Sequence, residues 1–86
     1  MRVAASIRTK LGEALAPLHL AVIDQSAQHA GHAGAKPEGE THFRVEIVSA
    51  AFDGERQLAR QRRVYAILKD ELAGGVHALS LSTLTP

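Results

Sequence analysis

Five histidines are the residues of this 86-residue chain whose chemistry stands out. Two of them, His29 and His32, lie in a stretch of small, flexible residues from Ser26 to Phe43, and His42 lies near its end. Neutral imidazole is a common ligand for iron, zinc and copper, and the spacing His29-x-x-His32 lets both rings reach one metal ion. The same pair is also typical of two solvent-exposed loop histidines, so both interpretations stand at this point.

The rest of the chain offers few further metal donors. There is no cysteine, so a metal site must use His, Asp, Glu or a ligand from a partner. The chain would supply only two or three ligands, and such a site either keeps an open catalytic position or is shared with a second molecule. His19 is assigned no function, and His42 is more simply interpreted as a solvated or hydrogen-bonded strand residue.

Composition indicates one small domain spanning residues 1–86, with a formal net charge of +1. This charge is far from that of a typical nucleic-acid-binding protein. Because no apolar run approaches a membrane span and no disulfide framework requires an oxidising compartment, we expect a cytoplasmic protein that does not insert into a membrane. No nucleophile–base set, carboxylate pair or phosphate loop is recognisable, so we do not expect an enzyme.

Apolar periodicity predicts the elements that position these histidines. Pro17 is expected to end the first helix, and Gly74-Gly75 the second. The predicted order is helix 2–16, strand 18–25, loop 26–41, strand 42–49, a short connector 50–54, helix 55–73 and strand 76–84. The first strand is expected to direct Leu18, Leu20 and Val22 inward.

Two faces are predicted for the second helix. Gln61 is expected in the middle of the apolar face, and a basic stripe on the opposite face. The apolar face is predicted to hold Leu58, Tyr65, Leu68 and Leu72, with Val64 at its edge. The basic stripe is predicted to consist of Arg56, Arg60 and Arg63.

The connections between strands predict which histidines meet. The first two strands are expected to form an antiparallel hairpin, and the helical crossover allows the second and third strands to run parallel. The start of the third strand then lies at the same end of the sheet as the hairpin loop. His77 is therefore expected near His29, His32 and His42.

Specific motifs of the sequence resemble BolA-like proteins. These motifs are the His42-Phe43 strand, the Phe52-x-Gly54 connector, the Val-Tyr-x-x-Leu helix and the Val-His-Ala-Leu strand that contains His77. The resemblance covers nearly the whole chain, and the first helix more loosely. It implies an α+β fold similar to the class II KH domain, with a three-stranded mixed sheet and the helices packed on one face.

The resemblance also implies a function in iron–sulfur cluster trafficking or iron homeostasis. BolA-like proteins pair with monothiol glutaredoxins and share a bridging 2Fe–2S cluster, to which glutathione contributes. By this resemblance His77 is a cluster ligand, and the second ligand comes from the hairpin loop, as His29 or His32, with His29 preferred. The chain alone is expected to be a monomer or weak homodimer.

The resemblance has one departure and one alternative. Family members commonly carry His where this chain has Gln61, which weakens any metal role for that helix position. The KH-like topology and the regulatory roles in the family suggest a nucleic-acid-binding transcriptional regulator as the second hypothesis, with Arg56, Arg60 and Arg63 contacting the backbone. The near-neutral charge and the scarcity of aromatic residues count against it.

Overall fold

The structure, a computed structural model, describes residues 2–26 and 41–86. The helices are α1 (Arg2–Leu15), α2 (Gln57–Ile67) and α3 (Lys69–Ala73), and a 3-10 turn spans Ala50–Phe52. The strands are β1 (His19–Asp24), β2 (His42–Val48) and β3 (Ala78–Leu84). Within the two described stretches, no helix combines the length and apolar character needed to cross a membrane.

The three strands form one mixed sheet in the order β1-β2-β3. β1 pairs antiparallel with β2, and Asp24 lies opposite Phe43 at the loop end of the pair. β2 pairs parallel with β3, and His42 lies opposite Ala78. The predicted hairpin and parallel crossover are both confirmed, and the fold is the α+β arrangement expected from the sequence.

The core lies between the inner face of the sheet and the helices. Along β2 the side chains alternate between buried and half-buried, as a strand with one covered face requires. Apolar residues recur every four positions along α1, which predicts one buried face, and Ile7, Leu11 and Leu15 on that face are all buried. The fully buried aromatic side chains are Phe43 on β2 and Phe52 in the 3-10 turn.

Ser49 joins three elements at one end of this core. It is fully buried, and its hydroxyl donates to the Leu15 carbonyl at 2.6 Å and accepts from Ala51 N–H at 3.1 Å. Its own N–H donates to the Leu84 carbonyl at 2.9 Å. The end of α1, the 3-10 turn and the end of β3 are therefore fixed by one small side chain.

The predicted apolar face of the second helix is confirmed at Leu68 and Leu72, which are buried in the core or packed against it, and wrong at Leu58 and Tyr65. Leu58 and Tyr65 are 60% and 40% exposed, whereas Val64, predicted at the edge, is completely buried with Leu68. The polar N-terminal half of α2 faces β3 instead, because Gln57 exchanges hydrogen bonds with Thr83 at 2.7 and 3.1 Å. The first turn of α2 is therefore tied to β3 by polar contacts, whereas Val64 and Leu68 are buried in the apolar core.

Several predicted boundaries also shift. The single predicted helix 55–73 is two helices, because the backbone of Leu68, between α2 and α3, departs from helical geometry. β3 begins at Ala78 and not at residue 76, so His77 directly precedes the strand. Leu18 lies before β1 and is 76% exposed, so its predicted inward position is wrong.

Candidate metal centre

His77 is held by its backbone at the edge where β2 and β3 begin. The chain leaves α3 through Gly74 and Gly75, and Gly75 adopts a φ of 130°, which favours glycine. The N–H groups of His77 and Ala78 then donate to the Thr41 carbonyl at 2.7 and 3.2 Å. The residue expected to be a ligand is thus anchored through its main chain, while its side chain is exposed.

The imidazoles of His77 and His42 lie side by side. Their ring centroids are 6.1 Å apart, and the ring planes make an angle of 33°. This confirms the predicted proximity of these two histidines, which are far apart in the sequence. An exposed imidazole next to a second one is an arrangement suited to nitrogen ligation of a transition metal.

Ser26 and Thr41 close the base of the segment between them. Ser26 is 5% exposed and Thr41 is 1% exposed. The Ser26 hydroxyl accepts from the backbone N–H groups of Thr41 and His42 at 2.9 and 3.2 Å. On the other side, Ser26 N–H donates to the Asp24 carboxylate at 2.9 Å. Both ends of the histidine-containing segment therefore meet next to His77.

His29 and His32 lie outside the described residues, so the structure leaves their predicted ligand role as a prediction. Among the residues that the structure does describe, no group of three or more His, Asp or Glu side chains is placed to hold a metal ion. The described part of the site therefore consists of His77, His42 and the hydroxyls beneath them.

Sequence reasoning gave no role to Ser26 and Thr41. The sequence did contain a signal for this role. Small hydroxyl residues stand at both ends of a glycine-containing loop, and such side chains hydrogen-bond to nearby backbone groups. Only the register of β1 with β2 shows that the two hydroxyls face each other. The contact joins residues 15 apart in the sequence.

The arginines of the predicted basic stripe have different environments. Arg56 precedes α2 and is exposed. Arg60 is half-buried: its guanidinium donates to the carbonyls of Glu55 and Thr83 at 2.9 and 3.0 Å and lies 5.9 Å from the centre of the Phe52 ring. Arg63 forms two hydrogen bonds with the Glu55 carboxylate, at 2.6 and 3.1 Å, and this pairing raises the pKa of the guanidinium. The three cations do not form one uniform solvated face.

The open face of the sheet carries charges of both signs. Arg44 donates to Glu46 at 3.3 Å and to Ser80 at 3.0 Å. His19 lies 3.7 Å from the same Glu46 carboxylate, and its side chain is 56% exposed. His19 is at the end of the sheet opposite His77, because it pairs with the last residue of β2.

Comparison with known proteins identifies relatives over nearly the whole chain. The family model described as BolA-like protein matches residues 11–86. The chain is 48% identical over 85 residues to "Protein BOLA1, chloroplastic" of Arabidopsis thaliana, covering 96% of this chain and 53% of that protein. It is 49% identical over 84 residues to "BolA-like protein 1" of Homo sapiens, covering 98% of this chain and 58% of that protein.

Proteins of known structure also share this fold. The BolA domain of SufE1 from Arabidopsis thaliana superposes with a TM-score of 0.87 at 48% sequence identity, covering 96% of this chain and 91% of that domain. The chain spans about half of the length of the two curated relatives above. The likeness therefore extends over about half of each of those proteins.

Proposed function

Because the chain belongs to the BolA-like protein family, we propose that it is an adaptor that pairs with a monothiol glutaredoxin and shares a bridging 2Fe–2S cluster with it. In this role it acts in iron–sulfur cluster trafficking or iron homeostasis, in the cytoplasm. Glutathione and the glutaredoxin supply the thiolate ligands, since this chain has no cysteine.

The observation that carries the proposal is the placement of His77. Its imidazole is exposed, and its backbone is fixed by the Thr41 carbonyl at the rim of the sheet. A ligand offered to a partner's cluster needs both properties, because an anchored main chain limits the loss of conformational freedom on binding. The nitrogen donors at this rim suit iron, and the described residues alone provide too few of them for a complete site.

The second protein ligand is proposed to come from His29 or His32. Supporting this, Ser26 and Thr41, which flank residues 27–40, hydrogen-bond to each other next to His77. His29 follows Ser26 by three residues, a chain length of about 10 Å at full extension. Either histidine is thus close to the rim in chain length, and His29 is the nearer of the two.

Imidazole ligation has a chemical consequence for the shared cluster. Two histidines on one iron give a higher reduction potential than all-thiolate ligation. The ligating nitrogen must be unprotonated, so acid weakens binding. The adaptor would thus provide a cluster environment that the glutaredoxin alone lacks.

The proposal is tested by mixing the chain with a monothiol glutaredoxin, glutathione and a reconstituted 2Fe–2S cluster. A heterodimer should form, with visible absorption and circular dichroism that differ from those of the glutaredoxin homodimer. His77→Ala should abolish the difference. His29→Ala and His32→Ala, tested separately, should identify the loop ligand by the larger loss.

The matched control is His19→Ala, which removes an exposed histidine at the opposite end of the sheet. This variant should form the mixed cluster with an unchanged spectrum. An unaltered spectrum for His77→Ala would reject the ligand assignment, and the absence of any heterodimer with the unsubstituted chain would reject the proposed function.

A further inference from the structure

The short helix α3 leads directly into the turn that carries His77. It has five residues, none of which is buried, and its Leu72 packs against the core as a half-buried side chain. A helix of this length is not stable on its own. The position of α3 therefore depends on its contacts with the rest of the chain.

The Glu71 carboxylate ties α3 to α1. Its two oxygens accept one hydrogen bond each, from the Ser6 hydroxyl and from Lys10 Nζ, the latter at 2.9 Å. The two donors lie 65 and 61 residues earlier in the chain. The Glu71 side chain is only 8% exposed, so moving α3 away from α1 would leave a largely buried carboxylate without its donors, which is costly.

The main chain of the same residue holds the turn. The Glu71 carbonyl accepts from the N–H groups of Gly74 and Val76, both at 3.2 Å. One residue later, the His77 N–H donates to the Thr41 carbonyl at 2.7 Å. The turn thus has two anchors, Thr41 on the strand side and Glu71 on the helix side. The position of His77 depends on both.

We propose that Glu71 is a positioning residue for the shared cluster, because by tying α3 to α1 it fixes the turn from which His77 reaches the iron. This inference rests on the proposed function. Glu71 itself touches neither the cluster nor the glutaredoxin. A turn that moves freely must be ordered when the cluster binds, and this loss of freedom weakens binding.

Two variants break the contact from opposite sides. Glu71→Gln keeps the shape of the side chain and weakens both hydrogen bonds, and Lys10→Met removes the charged donor on α1. Asp70→Asn is one control, because this carboxylate also lies near Lys10 but is 78% exposed. Ile7→Val is the other, because it removes a buried methylene from α1 and so lowers stability, while all three polar side chains remain.

The first measurement is a titration of the chain into cluster-loaded monothiol glutaredoxin with glutathione, followed by the circular dichroism of the mixed cluster. For Glu71→Gln we expect half-formation at about fivefold higher concentration, and a change in the same direction for Lys10→Met. The double variant should bind no more weakly than Glu71→Gln alone, because both side chains act through one contact. Asp70→Asn and Ile7→Val should match the unsubstituted chain.

The second measurement needs no cluster. In ¹⁵N NMR spectra of the chain alone, the amide signals of Val76 and His77 should shift or broaden in Glu71→Gln and in Lys10→Met. Ile7→Val should leave both signals in place, because lower stability does not by itself move the turn in the folded protein.

The outcomes separate this inference from the proposed function. If the unsubstituted chain forms no mixed cluster, the proposed function fails, and with it the role of Glu71 in presenting a ligand. If the mixed cluster forms and Glu71→Gln titrates like the unsubstituted chain, only this inference fails. Equal weakening by Glu71→Gln and Ile7→Val, or unchanged amide signals of Val76 and His77, would also overturn it. If Glu71→Gln does not fold, Lys10→Met decides by the same two measurements.

Discussion

At the scale of single residues, Thr41 links the backbone and the side chains of the site. Its carbonyl anchors His77, its N–H binds Ser26, and its hydroxyl binds His42. It is 1% exposed, so each of these polar groups needs its partner. The position of His77, the proposed ligand, therefore depends on a residue that is not itself a proposed ligand.

A second buried polar contact joins α1 to α3. The Glu71 carboxylate, with a side chain only 8% exposed, accepts from Ser6 and from Lys10, the latter at 2.9 Å. Burial by itself raises the pKa of Glu71, but the hydrogen bonds from Ser6 and Lys10 outweigh it and the pKa is lowered below its ordinary 4.5. The ionised form is thus the form that the fold stabilises.

This shift predicts a pH-dependent contribution to stability. Because the folded pKa lies below the unfolded one, the contribution is complete above about pH 4.5 and is lost as the pH falls through the folded pKa. Glu71→Gln should lower the free energy of unfolding by about 1–3 kcal/mol at pH 6, since two hydrogen bonds to a charge are weakened. The difference from the unsubstituted chain should shrink towards pH 3, as measured by urea unfolding.

Asp70→Asn is the control for this prediction. Asp70 lies 3.6 Å from the same Lys10, but its side chain is 78% exposed. A surface ion pair contributes little, so this variant should change stability by less than about 1 kcal/mol. A Glu71→Gln effect that stays constant from pH 6 to pH 3 would show that the ionised carboxylate is not what the fold stabilises.

At the scale of elements, α1 ends on a strained residue. Ala16 has a φ of 43°, in the left-handed region, and its N–H donates to the Gly12 carbonyl at 3.1 Å. Helices very often end in this conformation, but usually on glycine, which has no Cβ to oppose it. Pro17 predicted the end of the helix from the sequence. In the structure the chain turns out of the helix at Ala16, the left-handed residue before it.

Ala16→Gly should therefore stabilise the protein. Relief of the left-handed strain outweighs the greater flexibility of glycine in the unfolded chain, for a net gain of about 0.5–1 kcal/mol. Ala14→Gly makes the same chemical change at an exposed position within α1. It should destabilise by about 0.5–1 kcal/mol. Thermal or urea unfolding should show opposite signs, and equal losses would contradict the strain at Ala16.

The sequence predicted the elements whose apolar pattern is strong and local. Apolar residues recur every four positions in α1 and at alternate positions in β2, and these are the faces that are buried. The buried face of the second helix was identified only in part, because Gln57 and Arg60 approach β3 through hydrogen bonds with Thr83. Leu58 and Tyr65 remain exposed although their residue types favour burial.

Part of the candidate site was predictable for a topological reason. A parallel crossover fixes the starts of two strands at one end of a sheet, and for this reason the sequence alone predicts that His77 lies near His42. The hydrogen bonds among Ser26, Thr41 and His42 were not predictable. They depend on the register of β1 against β2, which periodicity alone does not give.

At the scale of the whole molecule, the sheet has two chemically different ends. One end carries His42, His77 and the paired hydroxyls of Ser26 and Thr41. The other end carries His19, opposite Val48, and the half-exposed Leu84. A seven-residue strand separates the two ends by about 20 Å, so the two ends offer distinct surfaces to a partner.

This polarity predicts the footprint of the proposed glutaredoxin partner. In ¹⁵N NMR spectra of the cluster-bridged heterodimer, the amide signals most broadened or shifted should be those of Thr41, His42, His77 and Ala78, because these residues form the rim around the ligand. The signals of Leu18, Val48 and Leu84 should change little. If the strongest changes lay instead along α2, at Arg60 and Arg63, the partner would bind the helical face, which would contradict the rim site.

The same spectra with duplex DNA in place of the glutaredoxin distinguish the two surfaces. Contacts with phosphates would perturb the signals of α2, which carries the arginines, and these changes would weaken as salt is added.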